Sequence, residues 1–233
     1  MNKFNIIVAD PPWIFKDTLK MSDVKRGAAA NYNVMSISDI RQLPIKDITD
    51  PNGAILALWV PSSLLQQGLD TMKDWGFTHK QTYVWVKTKK EPFTKFTKWI
   101  KKSILKYPQV VYDKFAYNRA INSIIDNIKN ITLDETLSFF MGRLFRQTHE
   151  ICLIGVSNNK IYKKLANKSQ RSVSFGVNLK HSAKPEDLQD SLETMFPNSN
   201  KLELFARRLR TDWVCLGNEV CNGEDIRVSL AKL

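Results

Sequence analysis

Short apolar runs alternate with amphipathic stretches along most of this 233-residue chain. Runs such as "NIIVAD", "AILALWV", "YVWVKT" and "WVCLGNE" have the composition of buried strands, whereas "SSLLQQGLDTMKDWGF" and "PEDLQDSLETMF" place apolar residues at helical spacing. Strands that alternate with helices are typical of a parallel sheet with crossover helices. The sequence therefore predicts an α/β fold.

Length and cysteine content bound the class of protein. A chain of 233 residues with 43% hydrophobic content can bury one large core, so we expect one domain over 1–233. Three cysteines, with Cys152 and Cys215 inside apolar runs, indicate reduced thiols and an intracellular protein, cytoplasmic in a prokaryote or virus and nuclear in a eukaryote. No apolar run approaches the roughly 20 residues that span a bilayer, and no metal site is expected.

The segment 89–138 does not follow the strand and helix alternation. "FTKFTKWIKKSIL" predicts a basic helix with an aromatic side, and "NRAINSIIDNIKN" places Ile121, Ile124, Ile125 and Ile128 on one helical face. We interpret this segment as a basic helical insertion or lid. Its apolar faces cover either the domain itself or a second chain, as in a homodimer or heterodimer, and the sequence leaves both open.

Positive charge is concentrated in two windows of the chain. The formal net charge is +12, while residues 89–130 and 157–184 each carry seven more basic than acidic residues. Two basic zones on a near-neutral body favour a polyanionic partner, with nucleic acid the leading candidate. Two solvated lysine-rich loops explain the same composition.

The stretch "NIIVADPPW" ends a predicted buried strand on Asp10, Pro11, Pro12 and Trp13. Ligands of open α/β sheets bind beyond the carboxyl ends of strands, where Asp10 falls. A carboxylate, a rigid turn with outward carbonyls and a flat ring suit a planar heterocycle with an amino group, such as adenine. Accepting both amine hydrogens orients the nitrogen lone pair toward an electrophile. The alternative is a strand end followed by a Pro-rich turn and a packing tryptophan.

Eight ordered blocks resemble one family of enzymes. "ADPPW", "GAILALWV", "WGF", "YVWVKT", "HEICLIG", "HSAKPEDL", "LELFARR" and "LGNE" are similar to the adenine-N6 methyltransferases with an Asp-Pro-Pro-Trp signature, which include the catalytic subunit of the eukaryotic mRNA methylation complex. The resemblance covers about 1–88 and 140–220. It implies S-adenosyl-L-methionine as cofactor and a Rossmann-like fold in permuted order, with the catalytic motif ahead of the cofactor-binding strand.

The resemblance also implies roles for particular residues. The catalytic and substrate-binding residues would be Asp10, Pro11, Pro12, Trp13, Tyr32, Arg146, Glu150 and Lys184. The cofactor-binding residues would be Asp10, Pro11, Lys184, Glu203, Phe205, Arg207, Asn218 and Glu219. Trp59 and Trp85 end neighbouring strands and fit a core as well as a contact role. The chain departs from the family at Asn31, where histidine is frequent, at Asp212, where glycine precedes the tryptophan, and in the length of 89–138.

The function expected from these residues is methylation of the exocyclic amine of adenine, in DNA rather than RNA because no separate RNA-binding module is visible. RNA is the nearest alternative. A non-catalytic nucleic-acid-binding subunit of a methyltransferase complex is a second class, against which the intact "DPPW" argues. A methyltransferase for cytosine or a protein amide is a third, but such enzymes usually replace the aspartate.

Overall fold

The computed structural model describes residues 3–14, 35–91, 94–106, 113–128, 133–138, 144–177, 183–221 and 223–233. Within these residues, seven strands form one sheet in the order β5-β3-β4-β2-β1-β6-β7. The strands are β1 (Ile6–Ala9), β2 (Ile55–Val60), β3 (Thr78–Thr88), β4 (His149–Val156), β5 (Val173–Val177), β6 (Lys201–Leu204) and β7 (Trp213–Leu216). The helices are α1 (Ile37–Arg41), α2 (Ile45–Ile48), α3 (Leu65–Asp74), α4 (Thr94–Leu105), α5 (Lys114–Ile128), α6 (Asp187–Met195) and α7 (Ile226–Ala231).

The chain divides into two compact units. Unit 1 comprises Met1–Trp85, Glu150–Ser174 and Pro185–Leu233, and unit 2 comprises Val86–His149 and Phe175–Lys184. The helices predicted between 89 and 138 are present as α4, α5 and a 3-10 turn at Leu133–Thr136. The expectation of one domain with an insertion over 89–138 stays a prediction. Among the described residues, no helix combines the length and apolar character that a bilayer span requires.

The centre of the sheet is parallel, as predicted. β1 pairs in parallel with β2 on one side and with β6 on the other, and β6 pairs in parallel with β7. β4, however, runs antiparallel to β2, so the predicted parallel arrangement does not extend to this pair. Apolar runs predict strands but carry no information on strand direction. The long connection between β3 and β4 allows β4 to run in either direction.

Helices cover both faces of the sheet in unit 1. One face buries Ile7, Leu56 and Leu202 together with residues of α1, α2, α3 and α7, and the other buries Ile6 and Ala57 against α6. Strands β1 and β2 are buried on every residue, which explains their uninterrupted apolar sequences. The Rossmann-like α/β expectation is confirmed. Cys152 and Cys215 are buried free thiols, as their apolar neighbours predicted.

Helix α6 is fastened to the connection between β6 and β7 by one arginine. Arg210, whose side chain is 14% exposed, pairs with Glu186 at 2.7 Å, Asp190 at 2.5 Å and Glu193 at 2.8 Å. Its guanidinium lies 5.9 Å from the centre of the Trp213 ring, and the Trp213 indole N–H donates to Glu193 at 2.5 Å. Because Glu193 accepts from both groups, the pKa of its carboxyl is lowered, with the Arg210 hydrogen bond as the largest cause.

Candidate active site

Three strands of unit 1 end at the same level. Ala9 of β1 is in register with Leu204 of β6, and Leu204 with Leu216 of β7, so Asp10 and the residues after 204 and 216 leave the sheet at one edge. From β1 the chain continues to β2 on one side, whereas from β6 it continues to β7 on the other. Such a reversal of strand order opens a crevice at the carboxyl ends, which is where α/β folds bind ligands. The structure thus places Asp10 at the switch point of the sheet.

The Asp-Pro-Pro-Trp segment forms a tight turn closed by its own backbone. The N–H of Trp13 donates to the carbonyl of Pro11 at 2.8 Å, and the N–H of Met35 donates to the carbonyl of Pro12 at 3.1 Å. A bond from residue i+2 to residue i is that of a γ-turn. The outward carbonyls predicted for this turn are therefore not unpaired acceptors, because a proline lacks an N–H donor but its carbonyl still accepts hydrogen bonds from neighbouring N–H groups. Each carbonyl keeps a second lone pair.

Trp13 is an anchor in the core. Its ring is 3% exposed, and its indole N–H donates to the main-chain carbonyl of Trp59 at 2.9 Å. The expectation of Trp13 as a flat stacking surface for a base is therefore contradicted by its burial. The hydrogen bond ties the turn after β1 to the carboxyl end of β2. Trp59 and Trp85 are 2% and 1% exposed. Of the core role and the contact role that the sequence left open for them, the structure favours the core role.

Glu203 is a second acidic side chain near the switch point. The pKa of Glu203 is raised, chiefly by burial and also by the negative charge of Asp10, although a hydrogen bond from Gln189 opposes the shift. Glu203 occupies the penultimate position of β6, and Asp10 follows the last residue of the adjacent β1. The positive charges of Arg208 and Arg210 act on Glu203 in the opposite direction, so this edge of unit 1 carries acidic and basic groups together. The two carboxyl groups offer acceptors for hydrogen bonds from a ligand.

The turn after β6 has an uncommon backbone. Phe205 has φ of 62°, in the left-handed region that costs a non-glycine residue about 1–3 kcal/mol. The next residue, Ala206, donates its N–H to the carbonyl of Leu216 at 2.9 Å, which holds the turn against the end of β7. There Gly217 approaches so closely that a Cβ would lie 2.3 Å from the Ala206 oxygen. Strain at Phe205 and the absence of a side chain at Gly217 together shape this part of the crevice.

The predicted cofactor residues after β6 and β7 meet at this turn. Arg207 forms a salt bridge with Glu219 at 3.7 Å, and Asn218, also exposed, accepts a hydrogen bond from the Gly223 N–H through its carbonyl. The structure therefore brings Arg207 and Glu219 together, in the same unit as Glu203 and Asp10. At this distance, and with Glu219 half exposed, the pair contributes little stability.

The substrate-binding residues predicted from the resemblance are distributed between the units. Glu150 directly precedes Ile151, the partner of Val60 at the carboxyl end of β2, so it lies at the same sheet edge as Asp10. Arg146 and Lys184 belong to unit 2, where Arg146 is exposed and Lys184 half-buried. Tyr32 lies outside the described residues, as does Asn31. The roles of these four predicted site residues stay predictions.

Sequence reasoning missed Gly217, Gln189 and the strain at two positions. Gln189 is 3% exposed on α6, and its signal was a polar residue beside the apolar stripe of that helix. Asp212 has φ of 61°, at the position where the resemblance led us to expect glycine. A left-handed backbone favours glycine, so Asp212 adopts a conformation that the glycine frequent in the family would adopt without strain.

Comparisons with known proteins agree with this architecture. The MT-A70 family model matches residues 4–105 and 98–219 of the chain. An N(6)-adenosine-methyltransferase MT-A70-like protein of Drosophila melanogaster is 22% identical over 222 residues, which cover 94% of this chain and 27% of that protein. The N(6)-adenosine-methyltransferase catalytic subunit METTL3 of Homo sapiens is 22% identical over 222 residues, covering 94% of this chain and 29% of that subunit.

A shorter match is stronger in identity. It is 34% identical over 89 residues, joining 38% of this chain to 11% of the N6-adenosine-methyltransferase non-catalytic subunit MTB of Arabidopsis thaliana. The chain spans less than a third of the length of each of these relatives. Since the family model covers far more than half of its residues, and since its sheet is the Rossmann-like one expected of S-adenosylmethionine-dependent methyltransferases, the chain belongs to the MT-A70 family.

Proposed function

We propose that this chain transfers a methyl group from S-adenosyl-L-methionine to the exocyclic N6 amine of adenine in a nucleic-acid strand. Membership of the MT-A70 family and the names of the relatives, which are N(6)-adenosine methyltransferases, support this reaction. The single observation that carries it is the position of Asp10 at the switch point of the sheet, beside the acidic end of β6. A carboxylate there faces the place where α/β folds bind their ligands.

The residues at this edge fit the proposed cofactor. When bound, S-adenosylmethionine would supply a methyl group on a positively charged sulfur, and Asp10 and Glu203 are the acidic groups at this edge that would favour that charge. Glu203, at a strand end, and Asn218 and Glu219 after the next strand offer acceptors for ribose hydroxyls. Gly217 leaves room because it carries no side chain where β7 ends. Phe205, Arg207 and Lys184 complete the proposed cofactor-binding set.

Asp10 has the main role toward the acceptor in this proposal. Its carboxylate accepts one amine hydrogen and stabilises the positive charge that develops on the nitrogen as the nitrogen–carbon bond forms and the carbon–sulfur bond breaks. The carbonyl of Pro11 retains one lone pair for the second hydrogen, although Trp13 occupies the other. The proton then leaves the methylated nitrogen for water. No covalent enzyme intermediate is needed.

The turn that follows Asp10 serves orientation. Trp13 fixes the turn to β2 through its bond to Trp59, and Pro12 is held through Met35. Holding the amine in line with the methyl group is an entropic contribution that reaches several kcal/mol in well-oriented reactions. Tyr32, Arg146, Glu150 and Lys184 are proposed to position the acceptor base.

The comparisons change the order of the two proposed substrates, DNA and RNA. The sequence favoured DNA because it showed no separate RNA-binding module, but the names of the relatives refer to adenosine, which is a ribonucleoside. We therefore propose an RNA strand as the first substrate to test and a DNA strand as the second. The match to a non-catalytic subunit supports a second candidate, a nucleic-acid-binding subunit that requires an active partner. Dimerisation through 89–138 also stays a proposal.

Methyl transfer from labelled S-adenosylmethionine to single-stranded RNA, single-stranded DNA and duplex DNA, followed by nucleoside mass spectrometry, tests the reaction. The matched variants are Asp10→Asn and Asp70→Asn, since Asp70 lies on α3 in the same unit and accepts a hydrogen bond from Gln66, one turn away on the same helix. We expect N6-methyladenine with the unaltered chain and Asp70→Asn, and at least a hundredfold less with Asp10→Asn. Cofactor binding without transfer to any polymer would favour the non-catalytic subunit. Absence of cofactor binding would refute the proposal.

A further inference from the structure

Unit 2 carries most of the positive charge of the chain. Its two stretches, Val86–His149 and Phe175–Lys184, contain fifteen lysines and arginines and five acidic residues, so its net charge is +10 of the total +12. Unit 1 is close to neutral by the same count. A compact unit with this imbalance repels itself and attracts polyanions.

Helix α4 supplies a basic face without acidic residues. Lys98, Lys101, Lys102 and the following Lys106 are exposed, and no Asp or Glu occurs between Thr94 and Leu105. On the other side of the helix, Trp99 and Ile100 are half-buried. Lysines spaced three and four residues apart lie along one side of a helix, as a phosphate backbone requires.

Helix α5, which packs against α4, exposes an unusual mixture of side chains. Ala116 and Ala120, both 2% exposed, define its buried side, while Phe115 is 75% exposed. Three further exposed residues share the face of Phe115 at helical spacing, namely Asn118, Arg119 and Asn122. A phenylalanine ring, a guanidinium and two amides on one face form neither a core nor a simple solvated surface, because phenylalanine is normally buried.

Other rings of unit 2 are exposed as well. Tyr117 is 50%, Phe145 87% and Phe175 63% exposed. Exposed apolar groups in one small unit indicate an interaction surface. Basic side chains with interleaved aromatic rings are the composition of proteins that bind single-stranded nucleic acid, where bases stack on rings and lysines follow the phosphates.

We infer that α4 and α5 form a docking surface for an unpaired nucleic-acid strand, in which Lys98, Lys101 and Lys102 bind phosphates and Phe115 stacks on a base. The inference rests on the proposed function for the reason such a strand is bound, but the surface itself belongs to unit 2 alone. A membrane surface or a second copy of the chain fits less well. Either would use an apolar stripe such as the one that exposes Tyr117 and Ile125 on another face of α5, whereas the Phe115 face carries Asn118, Arg119 and Asn122.

Fluorescence anisotropy with labelled 20-nucleotide single strands of RNA and DNA, and with the matching duplex, tests the surface. The aromatic variant is Phe115→Ala, with Leu209→Ala as its control, because Leu209 is a 77% exposed apolar residue of unit 1. The charge variant replaces Lys98, Lys101 and Lys102 by glutamine. Its control replaces Lys160, Lys163 and Lys168, three exposed lysines of unit 1, and so removes the same charge.

Phe115→Ala is expected to weaken single-strand binding about tenfold and duplex binding less than twofold, because only unpaired bases can stack on the ring. The α4 variant should lower the slope of log affinity against log salt by about 2, since each single-strand phosphate contact contributes about 0.7. Leu209→Ala and the unit 1 lysine control should leave both quantities nearly unchanged.

Three results would overturn the inference. Equal losses in the two lysine variants would show that affinity follows net charge and not this surface. An unchanged affinity of Phe115→Ala, together with a change from dimer to monomer in sedimentation, would assign the face to a second copy. Binding to anionic vesicles that depends on Phe115 while strand binding does not would assign it to a membrane. If methyl transfer fails but the strand affinities change as expected, the docking surface stands without the proposed reaction. If methyl transfer occurs but the strand affinities do not change, the reaction stands without the docking surface.

Discussion

Gly217, at the end of β7, lies against Ala206, at the turn after β6, so closely that any side chain would collide with backbone. A Cβ on Gly217 would be 2.3 Å from the Ala206 oxygen and 2.6 Å from its nitrogen. This contact holds together the two turns that carry Arg207 and Glu219. It also makes the glycine a sensitive probe of the proposed cofactor site.

Gly217→Ala should therefore displace the turn after β6. We expect a loss of about 1–3 kcal/mol in the free energy of unfolding, as for other overpacked sites, and at least tenfold weaker binding of S-adenosylmethionine by calorimetry. Gly223→Ala is the control, because Gly223 has φ of 81° but nothing within 4 Å of its Cβ position. It should cost about 1 kcal/mol through backbone strain and leave cofactor affinity within twofold. Equal cofactor losses in both variants would argue against a specific role of the Gly217 contact.

Trp13→Phe should separate anchoring from general stability. The change leaves the buried carbonyl of Trp59 without its donor, which costs about 1–3 kcal/mol. Trp75→Phe is a close match, since Trp75 is 1% exposed and donates to the Ile40 carbonyl at 3.0 Å away from the turn. Chemical denaturation should show similar losses for both, while kcat for methyl transfer should fall about tenfold or more only with Trp13→Phe. A comparable fall in kcat with Trp75→Phe would attribute it to stability alone.

Glu203→Gln should stabilise the folded protein and weaken its binding of the cofactor. Because burial raises the pKa of Glu203 in the folded state, its contribution to stability decreases as pH rises through that raised pKa. The neutral variant lacks this decrease, so its melting temperature at pH about 7 should be higher by about 2–4 °C, the shift that ~1 kcal/mol produces in a chain of this size. Cofactor affinity should fall about tenfold.

The pH dependence of melting tests that sign directly. Glu224→Gln is the control, because hydrogen bonds from Lys232 and Ser229 lower the pKa of Glu224, and its removal should destabilise the chain at neutral pH. If Glu203→Gln melted at a lower temperature than the unaltered chain at neutral pH, ionised Glu203 would not destabilise the fold, and the prediction would be wrong.

Arg210→Lys should loosen α6 from the connection between β6 and β7. An ammonium cannot reproduce the fork that reaches Glu186, Asp190 and Glu193, so we expect a loss of about 1–2 kcal/mol in urea denaturation at neutral pH. Arg208→Lys, which alters a more exposed pair with Glu186 at 2.7 Å, should cost less than about 0.5 kcal/mol. The lowered pKa of Glu193 predicts that the Arg210 contribution is present above the ordinary glutamate range and disappears as pH falls through that lowered value. A difference between Arg210→Lys and the unaltered chain that persists unchanged in acid would exclude this linkage.

The site was predictable from sequence where local patterns determine it. β1 was predicted from the apolar run before Asp10, and α6 from the helical spacing of Leu188 and Leu192. The parallel pairing of β1 with its neighbours follows from the alternation of strands and helices along the chain. The direction of β4 was not predictable, because a strand pattern is the same read in either direction. Nor were the partners of the Pro11 carbonyl and the Trp13 indole, since both depend on chain segments that meet only after folding.

Unit 2 consists of two separate stretches of chain, which has a consequence for engineering. The chain crosses between the units four times, after residues 85, 149, 174 and 184. A chimera that acquires the basic helices from a relative must exchange both stretches together. Deleting 89–138 alone would leave Phe175–Lys184 without most of its unit.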